Sequence, residues 1–249
     1  MEKSKPKAAP KKRPGRTAEA PPATERQKAA LAALAALYPD AKPALEFSSP
    51  YELLVATMLS AQCTDKQVNR CTRDLFPIAN TAAAMAKLTE EQLFPYIKSC
   101  GFYNTKGRHI LETSRLLVER YGGEVPQDRD ALTLLPGVGR KTANVVVSNA
   151  FGIPAIAVDT HVFRVSNRIG LAHAPNVEKT ERQLMAAIPE SDWSRAHHWL
   201  ICHGRRVCAA QRPKCATCAV APYCEFFAGK SEPASATAKK PAKTRKKGA

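Results

Sequence analysis

The amino-acid sequence predicts an all-α protein. Apolar residues recur at helical spacing along most of the chain, and helix-start signals appear repeatedly. Few segments alternate polar and apolar residues as strands do, and no repeat of solenoid length is present. The 249 residues can enclose a sizeable core, either as one large domain or as two smaller ones.

The first two helices have distinct start signals. Thr24 to Gln27, "TERQ", form a capping box ahead of the Ala/Leu run from Ala29 to Leu37. This run is far shorter than the roughly 20 residues that cross a membrane, and its leucine spacing favours an ordinary helix over a secretory signal. Ser49 then caps a second helix, with Pro50 at its first position and Glu52 closing a capping box.

Further helices follow along the chain. Thr89 begins one with the capping box "TEEQ", and Pro95 should kink or restart it. A long amphipathic helix then ends at Gly122 and Gly123. Three more helical segments are predicted downstream, at 142–152, at 159–170 and from Ser191 onward.

Charge is concentrated in two tails. Residues 1–25 and 226–249 together carry fourteen Lys or Arg against four acids, which is +10 of the net +16. Both are rich in Lys, Ala and Pro, so we expect disordered tails at 1–23 and 229–249. They either keep the protein in solution or attract a polyanion such as DNA, and we favour the second.

The stretch "LPGVGRKTANVVV" predicts an anion-binding corner. Gly137 and Gly139 provide a backbone that can adopt positive φ and that no side chain shields. A helix begins near Arg140, so its unpaired N–H groups point out of the same corner. Lys141 lies just inside that helix start.

The eight cysteines fall into two groups. Four are scattered, and we expect them to be small buried hydrophobic residues: Cys63, Cys71, Cys100 and Cys202. The other four lie within 17 residues at spacings x6, x2 and x5: Cys208, Cys215, Cys218 and Cys224. Without a secretion signal a disulfide framework is disfavoured, and this set predicts a metal site for zinc or an iron–sulfur cluster. Arg212 and Lys214 in its longest loop either contact phosphate or face solvent.

Three motifs in this order resemble endonuclease III, a DNA glycosylase of the helix–hairpin–helix superfamily. They are the glycine corner, the stretch "VDTHVFRVSNRIGL" and the four-cysteine tail, and the resemblance covers about Thr24 to Phe227. It implies a [4Fe–4S] cluster and two helical domains flanking a DNA-binding cleft. A six-helix barrel with the helix–hairpin–helix would span 43–154, and an iron–sulfur cluster domain would combine 24–42 with 155–228.

The resemblance assigns roles around the corner. An enzyme that works on a base in duplex DNA must flip the nucleotide out. The hairpin backbone of Gly137, Val138, Gly139 and Arg140 would hold a nearby phosphate. Lys141 would attack the sugar C1′, since the helix start and Arg140 disfavour its charged form. A lysine that only binds phosphate is the alternative.

Asp159 would be the catalytic acid residue. It would accept a proton from the lysine or stabilise the positive sugar that forms as the base leaves. It also stands where a helix N-cap is expected, and capping alone would explain it. The two roles are compatible.

Two loops are candidate wedges that separate the DNA strands. Gln62 would fill the gap left by the flipped base, and Phe102 stands where the family has an aliphatic wedge. Helix capping and core packing are the alternatives for both.

Adenine glycosylases of the superfamily carry a catalytic glutamate where this chain has Met58, and they lack the corner lysine. We read His161, His197, His198 and His203 as helix-face or phosphate-proximal residues.

The resemblance therefore implies a base-excision-repair glycosylase with AP lyase activity. It would remove oxidised pyrimidines from duplex DNA by lysine Schiff-base chemistry and β-elimination. Its partner would be double-stranded DNA with damaged bases or abasic sites, and we expect a monomer without membrane association, in the bacterial cytoplasm with the nucleoid or in a eukaryotic nucleus. The alternatives are a glycosylase for an alkylated purine or a pyrimidine dimer, and a non-catalytic helix–hairpin–helix DNA-binding protein.

Overall fold

The computed structural model describes residues 23–231, and the part of the chain that it describes is helical throughout. It contains twelve α-helices, three 3₁₀ turns and no strand within these residues. The all-α prediction is confirmed. The predicted tails lie outside the described residues, apart from Ala23 and residues 229–231, which extend the last helix past the expected boundary.

The helices follow one another with short connections. In chain order they are α1 (Glu25–Leu37), α2 (Pro50–Leu59), α3 (Asp65–Leu75), α4 (Ala82–Met85), α5 (Glu90–Ile97), α6 (Tyr103–Tyr121), α7 (Arg129–Thr133), α8 (Arg140–Ala150), α9 (Thr160–Ile169), α10 (Val177–Ala187), α11 (Trp193–Arg206) and α12 (Glu225–Ser231). The 3₁₀ turns are Glu190–Asp192, Cys215–Thr217 and Ala221–Tyr223.

The larger of two apolar cores lies within helices α2 to α8, which we call the barrel half. Helix α2 packs against α6 and α8, while α6 also contacts α4 and α5. Buried side chains run from Tyr51 to Ala155, with Leu53, Leu59 and Ile110 fully enclosed. This half carries the glycine corner between α7 and α8.

A second core joins the chain's first helix to its C-terminal part, which we call the cysteine half. Helix α11 packs against α1 and α9, and α10 packs against α9. The core runs from Ala30 to Val220 and includes Trp199. Ala155 belongs to the first core and Ile156 to the second, so the chain passes from one core to the other between these residues. We infer that they correspond to the predicted barrel and cluster domains.

Most predicted helix starts are confirmed by their hydrogen bonds. Thr24 and Thr89 both form complete capping boxes with the glutamine three residues later. The capping box predicted at Ser49 is only half formed: its hydroxyl accepts from the Glu52 N–H, but the Glu52 carboxylate accepts from Ser48 instead. A neighbouring serine with two donors competes for the carboxylate, which the spacing does not reveal.

Two helix predictions need correction. Of the kink or restart expected at Pro95, the restart is wrong, because helix α5 runs through Pro95 to Ile97. Pro95 and Glu91, whose carbonyl loses its helical partner, are both exposed, so water can satisfy that carbonyl. The helix expected from Ser191 begins at Trp193, after a 3₁₀ turn.

Across residues 23–231, no helix has both the length and the apolar character that a membrane crossing requires.

Candidate active site

The glycine corner is a tight hairpin braced against α6. Gly137 has φ +73°, and a Cβ built there would lie 2.8 Å from Nδ1 of His109, so only glycine fits without strain. The Thr113 hydroxyl donates to the Pro136 carbonyl at 2.9 Å, and the Val138 side chain is buried below the turn.

Gly139 has a different reason to be glycine. Its φ of −87° is open to any residue, and a Cβ there would meet nothing within 4 Å. It is the N-cap of α8 and provides no side-chain cap, so the first N–H groups of that helix face open space. The corner has the geometry of an anion site, with bare backbone donors at a helix N-terminus.

Lys141 and Asp159 line the same cleft. It lies between the two halves of the molecule and has a volume of about 240 Å³. Lys141 is exposed and forms no hydrogen bond or ion pair with any described residue. The structure thus brings together two residues that are 18 positions apart in the sequence.

Asp159 is the N-cap of α9, as the sequence predicts. Its Oδ1 accepts from the backbone N–H groups of His161 and Val162, both at 2.8 Å. The other carboxylate oxygen, Oδ2, has no hydrogen-bond partner in the described part of the chain. Capping therefore fixes the carboxylate and leaves one oxygen available to the cleft.

Two neutral histidines form part of the cleft wall. Burial lowers the pKa of His197 to about 4, and the positive charge of nearby Lys141 contributes to the same shift. Burial also lowers the pKa of His198 to about 3, and its ring hydrogen-bonds to the Asn149 side-chain oxygen at 2.8 Å. At neutral pH neither ring is a cation, so neither His197 nor His198 would pair with a phosphate as a charged group.

Arg140 is held by a buried carboxylate that the sequence did not point to. Its Nε and Nη2 donate to the two oxygens of Glu181, at 2.7 and 3.0 Å, and this pairing raises the pKa of the Arg140 guanidinium. Asn144 donates to Glu181 and to the Ile156 carbonyl, so one polar network joins α8, α10 and the segment before Asp159. The Arg140 side chain is thus engaged within the protein, while its backbone N–H faces the corner.

The two candidate wedges stand side by side. Gln62 and Phe102 are exposed and have positive φ, 54° and 58°, which non-glycine residues rarely adopt. A Cβ at Gly101 would lie 3.7 Å from the Gln62 carbonyl, so the two loops are in contact. Phe102 is 68% exposed, which excludes the core-packing alternative. Such strained, exposed residues are typical of functional loops.

Lys106 supports the end of α2 before the Gln62 loop, and the sequence did not indicate this role. Its buried ammonium donates at 2.8 Å to the Leu59 carbonyl, at the end of α2 just before the Gln62 loop. A cation at a helix C-terminus complements the helix dipole. A lysine in the first turns of an amphipathic helix gives no sequence signal of this role.

The four C-terminal cysteines line one small cavity, with a volume of about 20 Å³. Burial raises the pKa of the Cys218 and Cys224 thiols, and neighbouring cysteines of the set raise both further. Four crowded sulfurs therefore need a cationic group before they can ionise together. Within residues 23–231, no three Cys, His, Asp or Glu side chains converge on a single metal ion. Four cysteine sulfurs at one cavity match the donor set of a zinc ion or of an iron–sulfur cluster.

Two arginines of α9 hold the loop that carries these cysteines. Arg164 donates to the carbonyls of Gly204 and Cys208, and Arg168 donates to those of Ala209 and Ala210. The sequence did not single out either residue. Their fixed guanidinium groups position the loop against the second core.

The two basic loop residues differ in their surroundings. Arg212 is exposed, with a positive φ of 49°, and it projects from the loop. Lys214 lines the cysteine cavity, and its backbone N–H donates to the Val207 carbonyl at 3.1 Å. Both remain predicted phosphate contacts.

Several residues lining the cleft carried no sequence signal of a role there. Two are basic and lie on α11, Arg205 and Arg206, and Arg205 forms an ion pair with Asp65 at 2.6 Å across the cleft. Cys202, expected to be a buried hydrophobic residue, also lines the cleft and is half-buried.

Comparisons with known proteins agree with this geometry. Residues 55–190 match the family of HhH-GPD superfamily base excision DNA repair proteins. Endonuclease III of Escherichia coli K12 is 53% identical over 182 residues, covering 73% of this chain and 86% of that protein. Endonuclease III of Bacillus subtilis 168 is 51% identical over 189 residues, covering 76% and 86%.

Solved structures are similar over nearly their whole length. A trapped covalent intermediate of an endonuclease III with DNA has a TM-score of 0.79 at 45% identity, covering 83% of this chain and 99% of that chain. A non-covalent endonuclease III–DNA complex has the same TM-score and identity, with 83% and 98% covered. With the hairpin, the cleft and the four-cysteine cavity in place, these matches show that the chain belongs to the endonuclease III family of DNA glycosylases with AP lyase activity.

Proposed function

We propose that this protein removes oxidised pyrimidines from duplex DNA and then cuts the strand, with Lys141 as the nucleophile. The observation that carries this proposal is the cleft shared by Lys141 and Asp159, directly beside the hairpin. An unpaired lysine and a capped carboxylate with a free oxygen are the two groups that the reaction needs. The relatives named endonuclease III support the same assignment.

In the first chemical step, Lys141 replaces the base at C1′ of the sugar. The lone pair of the Lys141 Nζ attacks C1′, the C1′–N bond breaks, and the base leaves with the bonding electrons. Asp159 takes up the proton that the amine loses, or stabilises the positive charge that develops on the sugar. The covalent intermediate of the endonuclease III in the solved DNA complex is consistent with such a bond.

The second step cleaves the backbone. The sugar ring opens to an imine between Nζ and C1′, and this cation acidifies the hydrogen on C2′. Loss of that proton expels the 3′ phosphate by β-elimination, and water then releases the sugar from Lys141. The neutral side chains of His197 and His198 place no second cation beside the imine.

The DNA would be held from three sides. The hairpin backbone of Gly137, Val138 and Gly139, with the Arg140 N–H, would bind a phosphate near the flipped nucleotide. Gln62 and Phe102 would enter the duplex from the opposite side. The cysteine loop would add backbone contacts from Arg212 and Lys214.

The cysteine cavity would hold a [4Fe–4S] cluster through the four thiolates described above. All four donors are cysteine sulfurs, and membership of the endonuclease III family favours a cluster over zinc. When bound, the cluster would fix the C-terminal loop; the chemistry at the sugar belongs to Lys141 and Asp159. We also propose that the enzyme is a monomer and works in the bacterial cytoplasm on nucleoid DNA; the bacterial relatives support the cytoplasm.

Borohydride trapping tests the proposal. Duplex DNA carrying an oxidised pyrimidine, incubated with protein and borohydride, should yield a covalent adduct at Lys141, because borohydride reduces the imine. Lys141→Gln should abolish the adduct and retain DNA binding. Lys141→Arg is the matched control that keeps the charge but cannot form the imine.

Asp159→Asn separates capping from chemistry. Asparagine caps helices about as well as aspartate, so the variant should fold normally but react substantially more slowly. An Asn variant as fast as the parent would reduce Asp159 to a cap. If no pyrimidine lesion or abasic site gives an adduct, the non-catalytic binding protein is the better reading; an adduct only on other lesions would favour the other glycosylases.

A further inference from the structure

A buried histidine that the proposed chemistry does not use stands against the cysteine cavity. His203 lies on α11 and is 2% exposed, and its Nε2 is 3.6 Å from the sulfur of Cys218. On the other side of the ring, Nδ1 is 3.1 Å from the hydroxyl of Tyr38. Both ring nitrogens are therefore engaged within the second core, one of them by a ligand sulfur.

The chemistry of the sulfur decides which atom donates. A cysteine that holds a metal centre is a thiolate and has no proton to give. In the hydrogen bond between His203 and Cys218, the proton must therefore lie on Nε2. A neutral imidazole carries only one N–H, so Nδ1 is the acceptor and the Tyr38 hydroxyl donates to it.

Tyr38 is held firmly enough to fix this proton. It is the C-cap of α1, its backbone N–H donates to the Leu34 carbonyl at 3.1 Å, and it is 7% exposed. Its ring meets the His203 ring edge-on, with the two centroids 6.0 Å apart. The first helix of the chain thus reaches the cysteine cavity through one histidine.

Cys218 has a more dedicated donor than Cys208. The Arg168 Nη1 lies 3.5 Å from the Cys208 sulfur, but it also donates to the Ala209 carbonyl at 2.7 Å, so its hydrogen-bonding capacity is shared. In the described part of the chain, the Cys218 sulfur is the single partner of the His203 Nε2. The His203 N–H is therefore aimed at one ligand sulfur.

We propose that His203 is a positioning residue for the iron–sulfur cluster, with its Nε2–H donating to the Cys218 thiolate and the Tyr38 hydroxyl fixing its tautomer. This inference rests on the proposed cluster and adds two residues outside the four cysteines. Hydrogen bonds to the ligand sulfurs help to set the reduction potential of a cluster. The positive end of the N–H dipole stabilises an added electron, so this bond raises the potential.

Voltammetry of the purified, iron-loaded protein tests the proposal. His203→Asn keeps an amide near the Tyr38 hydroxyl but withdraws the donor from Cys218. Reduction of the cluster should then become about tenfold less favourable, a fall of about 59 mV for one electron. His203→Gln carries an amide N–H as far as the Nε2 position and should restore most of the parental potential. A parental potential in His203→Asn, or an equal fall in His203→Gln, would overturn the proposal.

Tyr38→Phe tests the second bond and leaves the imidazole in place, so it also serves if His203→Asn does not load iron. Without the hydroxyl, only part of the molecules carry the proton on Nε2, and the potential should fall by less than in His203→Asn. Tyr51→Phe is the matched control, because Tyr51 is also buried and its hydroxyl contacts Ser114 at 2.6 Å in the barrel half. Both variants should lose some thermal stability, but only Tyr38→Phe should change the potential. A purely structural Tyr38 would change the potential in neither.

Iron content and lyase activity separate the possible failures. A parent protein that binds no iron would refute the proposed cluster and this inference with it. An iron-loaded parent whose variants all keep the parental potential would refute this inference alone. Iron-loaded protein without lyase activity would refute the proposed reaction and leave the measured potentials standing.

Discussion

The barrel half and the cysteine half of this molecule reach stability by different routes. Among the described residues, 27 buried apolar side chains form the barrel core and 16 form the other. In residues 207–224 only Cys208 and Val220 are buried, and regular structure is limited to two 3₁₀ turns. So little apolar burial cannot hold a loop by itself. Under the proposed function, residues 207–224 are held by their four-cysteine ligand set, whereas the barrel half is held by its core.

The largest expected effect is loss of the cluster. Cys218→Ser should abolish the brown colour and visible absorption of an iron–sulfur protein and destabilise the cysteine half, since three thiolates hold the group poorly. Hydrogen exchange should show lost protection in α9 and α11 and near-parental protection in α2 and α6. Cys202→Ser is the matched control and should keep the cluster. Equal loss of protection in both halves would contradict the comparison.

The second largest effect should come from acid, which weakens the contact between the halves. The folded-state pKa values of His197 and His198 lie below the value of about 6.5 expected when unfolded. The unfolded chain therefore binds more protons below that pH. Stability is fully present above about pH 6.5 and falls as the pH drops toward 4, by roughly 2 kcal/mol per histidine between pH 7 and 5.

Denaturant unfolding at pH 7 and pH 5 measures this loss. His198→Gln can still hydrogen-bond Asn149 and cannot titrate, so its stability should fall by about 2 kcal/mol less over the same range. An unchanged pH dependence in this variant would mean that other groups set the acid sensitivity.

The third largest effect on stability should come from Glu181→Ala, which removes a carboxylate from the polar network that joins the halves. Removal of the buried carboxylate leaves Arg140 and Asn144 without their shared partner, at a cost of about 3 kcal/mol. Thermal unfolding measures the cost, and Glu178→Ala, on the same helix without these bonds, is the control. We expect the rate of base removal to fall as well, because α8 carries Lys141. A variant with parental stability would show that this network does not couple the halves.

The smallest effect on stability should come from the hairpin glycines, which differ from each other. Gly137→Ala places a Cβ against His109 in a left-handed conformation and should cost about 2 kcal/mol. Gly139→Ala meets open space and should fold normally, yet weaken binding to duplex DNA, because the methyl group would occupy the proposed phosphate position. Thermal unfolding and DNA-binding titrations separate the two. If Gly139→Ala binds duplex DNA as tightly as the parent does, the corner does not bind a phosphate.

Sequence patterns were sufficient wherever the signal is local. The capping boxes at Thr24 and Thr89, the Asp159 cap and the helix stop at Gly122 all follow from hydrogen bonds within a few residues. The family resemblance rested on similarly contiguous motifs and was confirmed. Local signals failed at two places. At Ser49, the neighbouring Ser48 lies outside the capping-box pattern and takes the Glu52 carboxylate. At Pro95, solvent exposure lets the helix continue through the proline.

Which distant residues meet depends on how the helices pack. Arg140 and Glu181 are 41 positions apart, and Cys71 and Cys100 are 29 apart, so no spacing rule could pair them. The helices, the glycine corner and the four-cysteine spacing could be read from the sequence, because each depends on residues close together in the chain. The packing of helices decided the pairs, the burial of the histidines and the contact between the wedge loops, because these depend on side chains from separate helices reaching one point.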